Sequence, residues 1–159
     1  MPKKIFVPRV ESVALVIFSG PLGRLVYAIK ELVEKLEIGK PGNSYSFPWE
    51  TVNPGESRKE TLARLILEEV DCTMGISLTE PQFLGDFQVY DTMAHAYWCR
   101  LEGEPNPNGY RGQDEGIGVT AVGFIGPCEL VESGRDGVVP ILRAAIERAV
   151  EAERATWEA

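Results

Sequence analysis

The 159-residue sequence has few residues of the kinds that bind soft metals or form disulfides. It contains one histidine, His95, and three cysteines, Cys72, Cys99 and Cys128, which stand 27 and 29 residues apart. A single imidazole excludes zinc sites that need two or more histidines, and it argues against a histidine-based catalytic triad. An odd number of cysteines without a CxxC pair indicates a reducing compartment, so we expect a cytoplasmic protein.

Long apolar runs and an excess of basic residues are also absent. No apolar stretch approaches the roughly 18 residues that cross a bilayer, so we expect no membrane partner. The 16 Lys and Arg residues oppose 24 Asp and Glu residues, and this formal net charge of −8 argues against a surface that binds DNA or RNA. A small phosphate compound is compatible with these charges if a divalent cation lies between the acids and the phosphate.

The composition is that of an ordinary globular protein, and the length predicts one domain over residues 1–159. An apolar, β-branched run at residues 12–18 predicts a buried strand. Residues 25–36 allow two interpretations, because their apolar period favours an amphipathic helix whereas residues 24–30 alone can form a strand. Further elements are predicted as a hairpin at 83–90 and 93–101, a strand at 119–125 and a final helix that starts at Pro140.

Residues 47–72, FPWETVNPGESRKETLARLILEEVDC, join a turn rich in proline and glycine to a segment that contains neither residue. Ser57 is followed three positions later by Glu60, which is the pattern of a capping box. The segment therefore predicts a helix that begins at Ser57.

Several carboxylates belong to this predicted helix or to the loop before it. Arg64 and Glu68 align at i and i+4, Glu69 lies about 100° further round, and Glu56 enters from the loop. Such acids can gather at a Mg²⁺ ion, which prefers hard oxygen ligands, while Arg64 offsets their mutual repulsion. From the charge pattern alone, a solvated helix face with i,i+4 ion pairs is the alternative.

The spacing of these residues resembles the signature of the Nudix hydrolases, and we call residues 50–72 the Nudix box. The signature is a glycine, five residues, a glutamate, seven residues, Arg-Glu, an apolar residue, any residue, Glu-Glu, any residue, glycine and an apolar residue. The matching residues are Glu56, Arg64, Ile66, Glu68, Glu69 and Cys72.

Three positions of the Nudix box depart from the signature. Glu50 and Asp71 stand in place of the two glycines, and Leu65 replaces the glutamate that follows the arginine. In the family that glutamate binds metal and in some members activates water, and a leucine side chain can do neither. If the rest of the site is intact, Leu65→Glu is expected to raise turnover.

The resemblance implies an α+β fold, with a mixed β-sheet between helices and the Nudix box as loop-helix-loop. It favours a strand at residues 25–29 and allows a short helix after it. It further implies hydrolysis of a diphosphate linkage in a nucleoside diphosphate derivative, with Mg²⁺ or Mn²⁺ as the cofactor. The expected partner is therefore a small molecule and not a nucleic acid polymer. The oligomeric state stays open, with a homodimer as one option.

The resemblance also assigns site residues. Glu56, Glu68 and Glu69 are expected to hold the metal. The expected catalytic set contains Glu69, Glu68 and Arg64, with Arg64 as the residue that organises the acids.

The general base is not assigned by the Nudix box, because of Leu65. Glu115, in the glycine-rich loop at 103–118, is the first candidate for the base, and Glu50 is the second. His95 is interpreted as a packing residue of a strand. If nothing replaces the base, the chain is an inactive Nudix fold that binds a nucleotide or a protein.

Overall fold

The fold is a mixed β-sheet between α-helices, as the computed structural model shows for residues 10–19, 25–36, 40–71, 77–102 and 119–158. The strands in this described part of the chain are β1 Val10–Ser19, β2 Leu25–Glu31, β3 Tyr45–Ser46, β4 Trp49–Thr51, β5 Ser77–Leu78, β6 Gln82–Val89, β7 Thr92–Glu102 and β8 Val119–Ile125. The helices are α1 Arg58–Leu65, α2 Pro127–Ser133 and α3 Val138–Glu158. None of these helices combines the length and hydropathy of a membrane-spanning helix. The predicted α+β class is confirmed.

Strand β1 is the centre of the sheet. It pairs in parallel with β7 on one side and antiparallel with β2 and β4 on the other. Strand β2 also pairs with β3 and β8, and β7 pairs with β5 and β6. Because helices cover both faces of β1, its side chains at positions 13–18 are all buried, and this explains the continuous apolar run.

Alternate residues of β1 enter two separate cores. One core lies between the sheet and helices α2 and α3, and it contains Val16 and Phe18. The other lies between the sheet and α1, and it contains Val13, Leu15 and Ile17. We call the second side of the sheet the box face, because the helix of the Nudix box packs against it.

Residues 25–31 form strand β2, so the strand interpretation is confirmed and the amphipathic-helix interpretation is wrong. Val26 and Ala28 lie in the core below α2 and α3, whereas Tyr27 and Ile29 lie in the box-face core. A strand with both faces buried lacks polar alternation, so its apolar residues can also match a helical period. The short helix allowed after this strand is absent from residues 32–35, and residues 37–39 lie outside the described part of the chain.

The other predicted elements are found with small shifts in their bounds. Strands β6 and β7 form the predicted hairpin, and β8 coincides with the strand predicted at 119–125. The final helix starts at Val138, two residues before the predicted start at Pro140. Pro140 therefore lies in the first turn, where a proline removes no helical hydrogen bond. Helix α2 was not among the predicted elements.

Helix α1 begins as the capping box predicts. The Ser57 Oγ accepts a hydrogen bond from Glu60 N at 3.1 Å, and Glu60 Oε1 accepts one from Ser57 N at 3.1 Å. After Leu65 the helix continues as a π-helical turn, Ile66–Asp71. Such widened turns occur frequently at functional sites.

Leu65 lies in the box-face core and not on the surface of the Nudix box. Its side chain is 0% exposed and belongs to the same cluster as Leu62 and Val13. A glutamate at this position would bring a carboxylate among apolar side chains, where an unpaired charge is costly. The gain in turnover expected from Leu65→Glu is therefore opposed by a loss of stability.

We predict that Leu65→Glu lowers the free energy of unfolding by more than about 3 kcal/mol, because it removes leucine packing and desolvates a carboxylate. Urea denaturation followed by circular dichroism measures this change. The matched control is Leu67→Glu, since Leu67 is 63% exposed, and there we expect a change within about 0.5 kcal/mol. Small and equal losses in both variants would contradict the burial of Leu65.

Candidate functional site

The loop of the Nudix box is a tight turn that brings Glu56 to the start of α1. Glu56 N donates to Asn53 O at 3.0 Å. Gly55 adopts φ of 81°, a left-handed conformation that glycine takes without steric cost. The Asn-Pro-Gly sequence therefore determines where Glu56 enters the site.

Arg64 is the centre of the site, and its guanidinium contacts three parts of the Nudix box. Nε and Nη2 donate to the two oxygens of Glu56 at 3.1 and 3.0 Å, which makes a bidentate pair. Nη1 donates to Glu50 Oε2 at 2.9 Å, and Nη2 donates to Thr51 O at 2.7 Å. Glu68 Oε2 lies 3.6 Å from Nη1. We call Arg64, Glu50, Glu56 and Glu68 the Arg64 cluster.

Glu56 is bonded by protein donors at both carboxylate oxygens. Besides the pair with Arg64, Oε1 accepts from Thr61 Oγ1 at 2.7 Å and from Asn53 N at 3.2 Å. These hydrogen bonds, with Arg64 the largest cause, lower the pKa of Glu56 to about 2. These contacts make Glu56 an anchor for Arg64, and its role as a metal ligand stays a prediction.

Glu50 and Glu68 bring two carboxyl groups together beside Arg64. Burial raises the pKa of Glu50, and a hydrogen bond with Glu68 raises it further, although Arg64 acts in the opposite direction. The Glu50 side chain is 16% exposed and that of Glu68 is 43% exposed. Two carboxylates in contact require a proton or another cation between them.

The carboxylate oxygens of the Arg64 cluster are ligands of the kind that the hard cations Mg²⁺ and Mn²⁺ prefer. Among the side chains that the structure describes, no group of three His, Cys, Asp or Glu residues is arranged to hold a metal ion. Glu50 and Glu68 are thus two candidate donors. Glu69 follows Glu68 in the π-helical turn, but its side chain lies outside the described part of the chain. The metal site of Glu68 and Glu69 stays a prediction.

The remaining residues predicted for the site have different outcomes. Glu115 and its loop lie outside the described residues. Glu50 joins the Arg64 cluster as a partner of the guanidinium. No local sequence signal points to this contact, because it depends on the pairing of β4 with β1, where Glu50 stands opposite Val13. Thr61 was also missed, although it lies one helical turn after Ser57 and its hydroxyl reaches back to the box loop.

Comparison with known proteins gives matches at the level of structure. No protein-family model and no curated protein matches the sequence. A mutT/nudix family protein from Listeria innocua is 18% identical with a TM-score of 0.63, covering 94% of this chain and 99% of that chain. A NUDIX hydrolase from Nitrosomonas europaea is 15% identical with a TM-score of 0.57, covering 91% and 89%. An ADP-ribose pyrophosphatase from Streptococcus suis is 16% identical with a TM-score of 0.55, covering 88% and 91%.

These matches extend over most of this chain and most of each matched chain. At 15–18% identity the matches show a shared fold, whereas activity depends on the residues of the site itself. The pattern of the Nudix box, its loop-helix geometry and the structural matches agree, and the protein therefore has the fold of the Nudix hydrolases.

Proposed function

We propose that this protein is a pyrophosphohydrolase that cleaves a diphosphate linkage in a nucleoside diphosphate derivative, with Mg²⁺ or Mn²⁺ as cofactor. The observation that supports the proposal most directly is the Arg64 cluster, in which Glu50 and Glu68 meet on a Nudix fold. The neighbour from Streptococcus suis is an ADP-ribose pyrophosphatase by name, and ADP-ribose belongs to this substrate class.

Arg64 holds the acids of the proposed site in position. Its bidentate pair with Glu56 fixes the plane of the guanidinium, and the opposite edge then faces Glu50 and Glu68. We assign the cation to Glu68 and Glu69, with Glu50 beside them. Glu56 supports this arrangement through Arg64.

The proposed reaction is the attack of water on phosphorus. Glu68 and Glu69 would hold the Mg²⁺ or Mn²⁺ ion, which would neutralise charge on the phosphate oxygens. The phosphorus–oxygen bond to the leaving phosphate breaks, and its electron pair stays on that phosphate. A base must accept the proton of the attacking water, and Leu65 cannot do so.

A second function is an inactive Nudix module that binds a nucleotide or a protein. The burial of Leu65 favours this alternative, because the position that carries an acid in the family signature serves packing here. The two functions differ in turnover, and a module that binds a nucleotide agrees with the hydrolase in the binding of a small molecule.

A metal-dependent hydrolysis screen distinguishes these functions. The panel contains nucleoside triphosphates, sugar nucleotides, dinucleoside polyphosphates and coenzymes, each with and without Mg²⁺ or Mn²⁺. Metal-dependent turnover of at least one compound supports the hydrolase. Binding by calorimetry without any turnover supports the binding module, and the absence of both contradicts a nucleotide site.

We predict that Glu68→Gln and Glu69→Gln each lower kcat/KM by at least about 100-fold. Mutation of a residue that only orients a metal ligand already lowers activity by up to about 100-fold, and loss of the ligand itself should lower it at least as much. Product formation from the fastest compound of the panel measures this change. Glu151→Gln, an exposed carboxylate of α3, is the matched control and keeps wild-type activity. Full activity in both box variants would show that these acids do not serve the reaction.

We predict that Glu56 makes the stability of the protein depend on acid pH. Its pKa is about 2 in the folded chain against an ordinary value of 4.5. The ionised group therefore stabilises the folded state above pH 4.5, and this stabilisation is lost as the pH falls from 4.5 toward 2. The Tm difference between wild type and Glu56→Gln should be largest near neutral pH and shrink below pH 4.5. A Tm difference that does not vary with pH would mean that Glu56 is not ion-paired.

A further inference from the structure

His95 is buried in β7 with a carboxylate at each ring nitrogen. Nδ1 lies 2.6 Å from Asp86 Oδ1, and Nε2 lies 3.0 Å from Glu11 Oε1. The His95 side chain is 2% exposed, whereas those of Glu11 and Asp86 are 51% and 44% exposed. We call these residues the His95 trio. The imidazole is buried, and the two carboxylates reach solvent. The interpretation of His95 as a packing residue is therefore incomplete.

The register of the sheet places the His95 trio beside the Arg64 cluster. His95 stands opposite Val13 of β1, and Val13 stands opposite Glu50 of β4. Because paired residues point to the same side of a sheet, His95 and Glu50 belong to one row on the box face. Glu11 lies two residues before Val13 on this face, diagonal to Glu50, and such side chains stand about 7–8 Å apart. Glu11 O also accepts from Val52 N at 2.9 Å, which joins β1 to the box loop.

The hydrogen-bond geometry sets the number of protons that the trio requires. A neutral imidazole has one N–H group and one acceptor nitrogen. If Nδ1–H donates to Asp86, then Nε2 and Glu11 Oε1 are both acceptors across 3.0 Å. The contact becomes a hydrogen bond only when one further proton is held by His95 or Glu11. In this arrangement a proton held by Glu11 is shared with His95 Nε2.

The proposed hydrolysis lacks a base among the box side chains that the structure describes. Leu65 is buried in the core, and both oxygens of Glu56 are occupied by protein donors. Glu68 is assigned to the cation, and Glu50 lies beside it with its carboxylate bonded to Arg64. Glu11 is a half-exposed acid on the same face, and His95 lies beside it as a partner for a proton.

We propose, building on the function proposed above, that Glu11 is the general base and that His95 and Asp86 are its positioning residues. The water oxygen forms a bond to phosphorus, and the water proton passes to Glu11. The phosphorus–oxygen bond breaks, and its electron pair stays on the leaving phosphate. The protonated Glu11 is stabilised by His95 Nε2, while Asp86 holds the ring through Nδ1–H. The proton is then released to solvent with the products.

Glu11→Gln tests the base while preserving the size of the side chain. With the compound of the panel that wild type hydrolyses fastest, we expect kcat to fall by about 10²–10⁴-fold and KM to stay unchanged. Mn²⁺ binding measured by calorimetry should also stay unchanged. Glu102→Gln, an exposed carboxylate at the end of β7, is the matched control and keeps wild-type kcat. Added formate should restore part of the kcat of Glu11→Ala, which a purely structural role would not allow.

A second measurement uses the fact that His95 is the only histidine in the sequence. Its imidazole therefore gives one assignable set of nuclear magnetic resonance signals. We expect a Nδ1–H signal that exchanges slowly with solvent in wild type, that is lost in Asp86→Asn and that shifts in Glu11→Gln. Unchanged imidazole signals in both variants would overturn the trio.

The outcomes separate this inference from the function on which it rests. If wild type hydrolyses no compound of the panel, the proposed function and the base both fail. If Glu11→Gln matches wild type while Glu68→Gln is inactive, the function stands and Glu11 is overturned as the base. A loss of kcat in Glu115→Gln but not in Glu11→Gln would likewise overturn it and assign the role to Glu115.

Discussion

The guanidinium of Arg64 is the group on which the candidate site depends. Its five N–H donors lie in one plane, so a single side chain can bond β4 and the box loop and also form an ion pair with Glu68. Two carboxylates about 4 Å apart near a protein surface repel each other by about 4 kcal/mol, so Glu50, Glu56 and Glu68 need a cation between them to meet. Glu50, Glu56 and Glu68 do gather around the guanidinium of Arg64. A divalent ion at this site would therefore meet carboxylates whose negative charge Arg64 already neutralises in part.

Leu65 shows that the frame of a Nudix box can persist when one of its acids is replaced. The leucine joins the apolar core between α1 and the sheet, where burial of such a side chain typically contributes about 2–5 kcal/mol against truncation to alanine. The leucine side chain therefore stabilises the packing of α1 on the sheet, but it cannot accept a proton as a glutamate at this position can. In the mechanism that we propose, the sheet supplies the acceptor instead. Glu11 lies on the same face, and His95 connects it to a second strand.

The features that the sequence predicted correctly are those determined by neighbouring residues. The capping box at Ser57 is one example, because its donors and acceptors lie within four positions of each other. Residues 25–31 were ambiguous, since a strand with two buried faces carries no polar alternation to separate it from a helix. The contact of Glu50 with Arg64 and that of His95 with Glu11 depend on the pairing of β1 with β4 and with β7, and these strands are far apart in the chain. Local patterns carry no information about such pairing, so the Arg64 cluster was predicted in part and the His95 trio not at all.

Mn²⁺ binding, measured by calorimetry or by electron paramagnetic resonance, tests most directly whether the Arg64 cluster is a cation site. We expect wild type to bind Mn²⁺, and Glu68→Gln to bind it at least about 10-fold more weakly. Glu151→Gln should bind Mn²⁺ as wild type does. An absence of binding in wild type, or equal affinity in wild type and Glu68→Gln, would contradict a cation site at these acids.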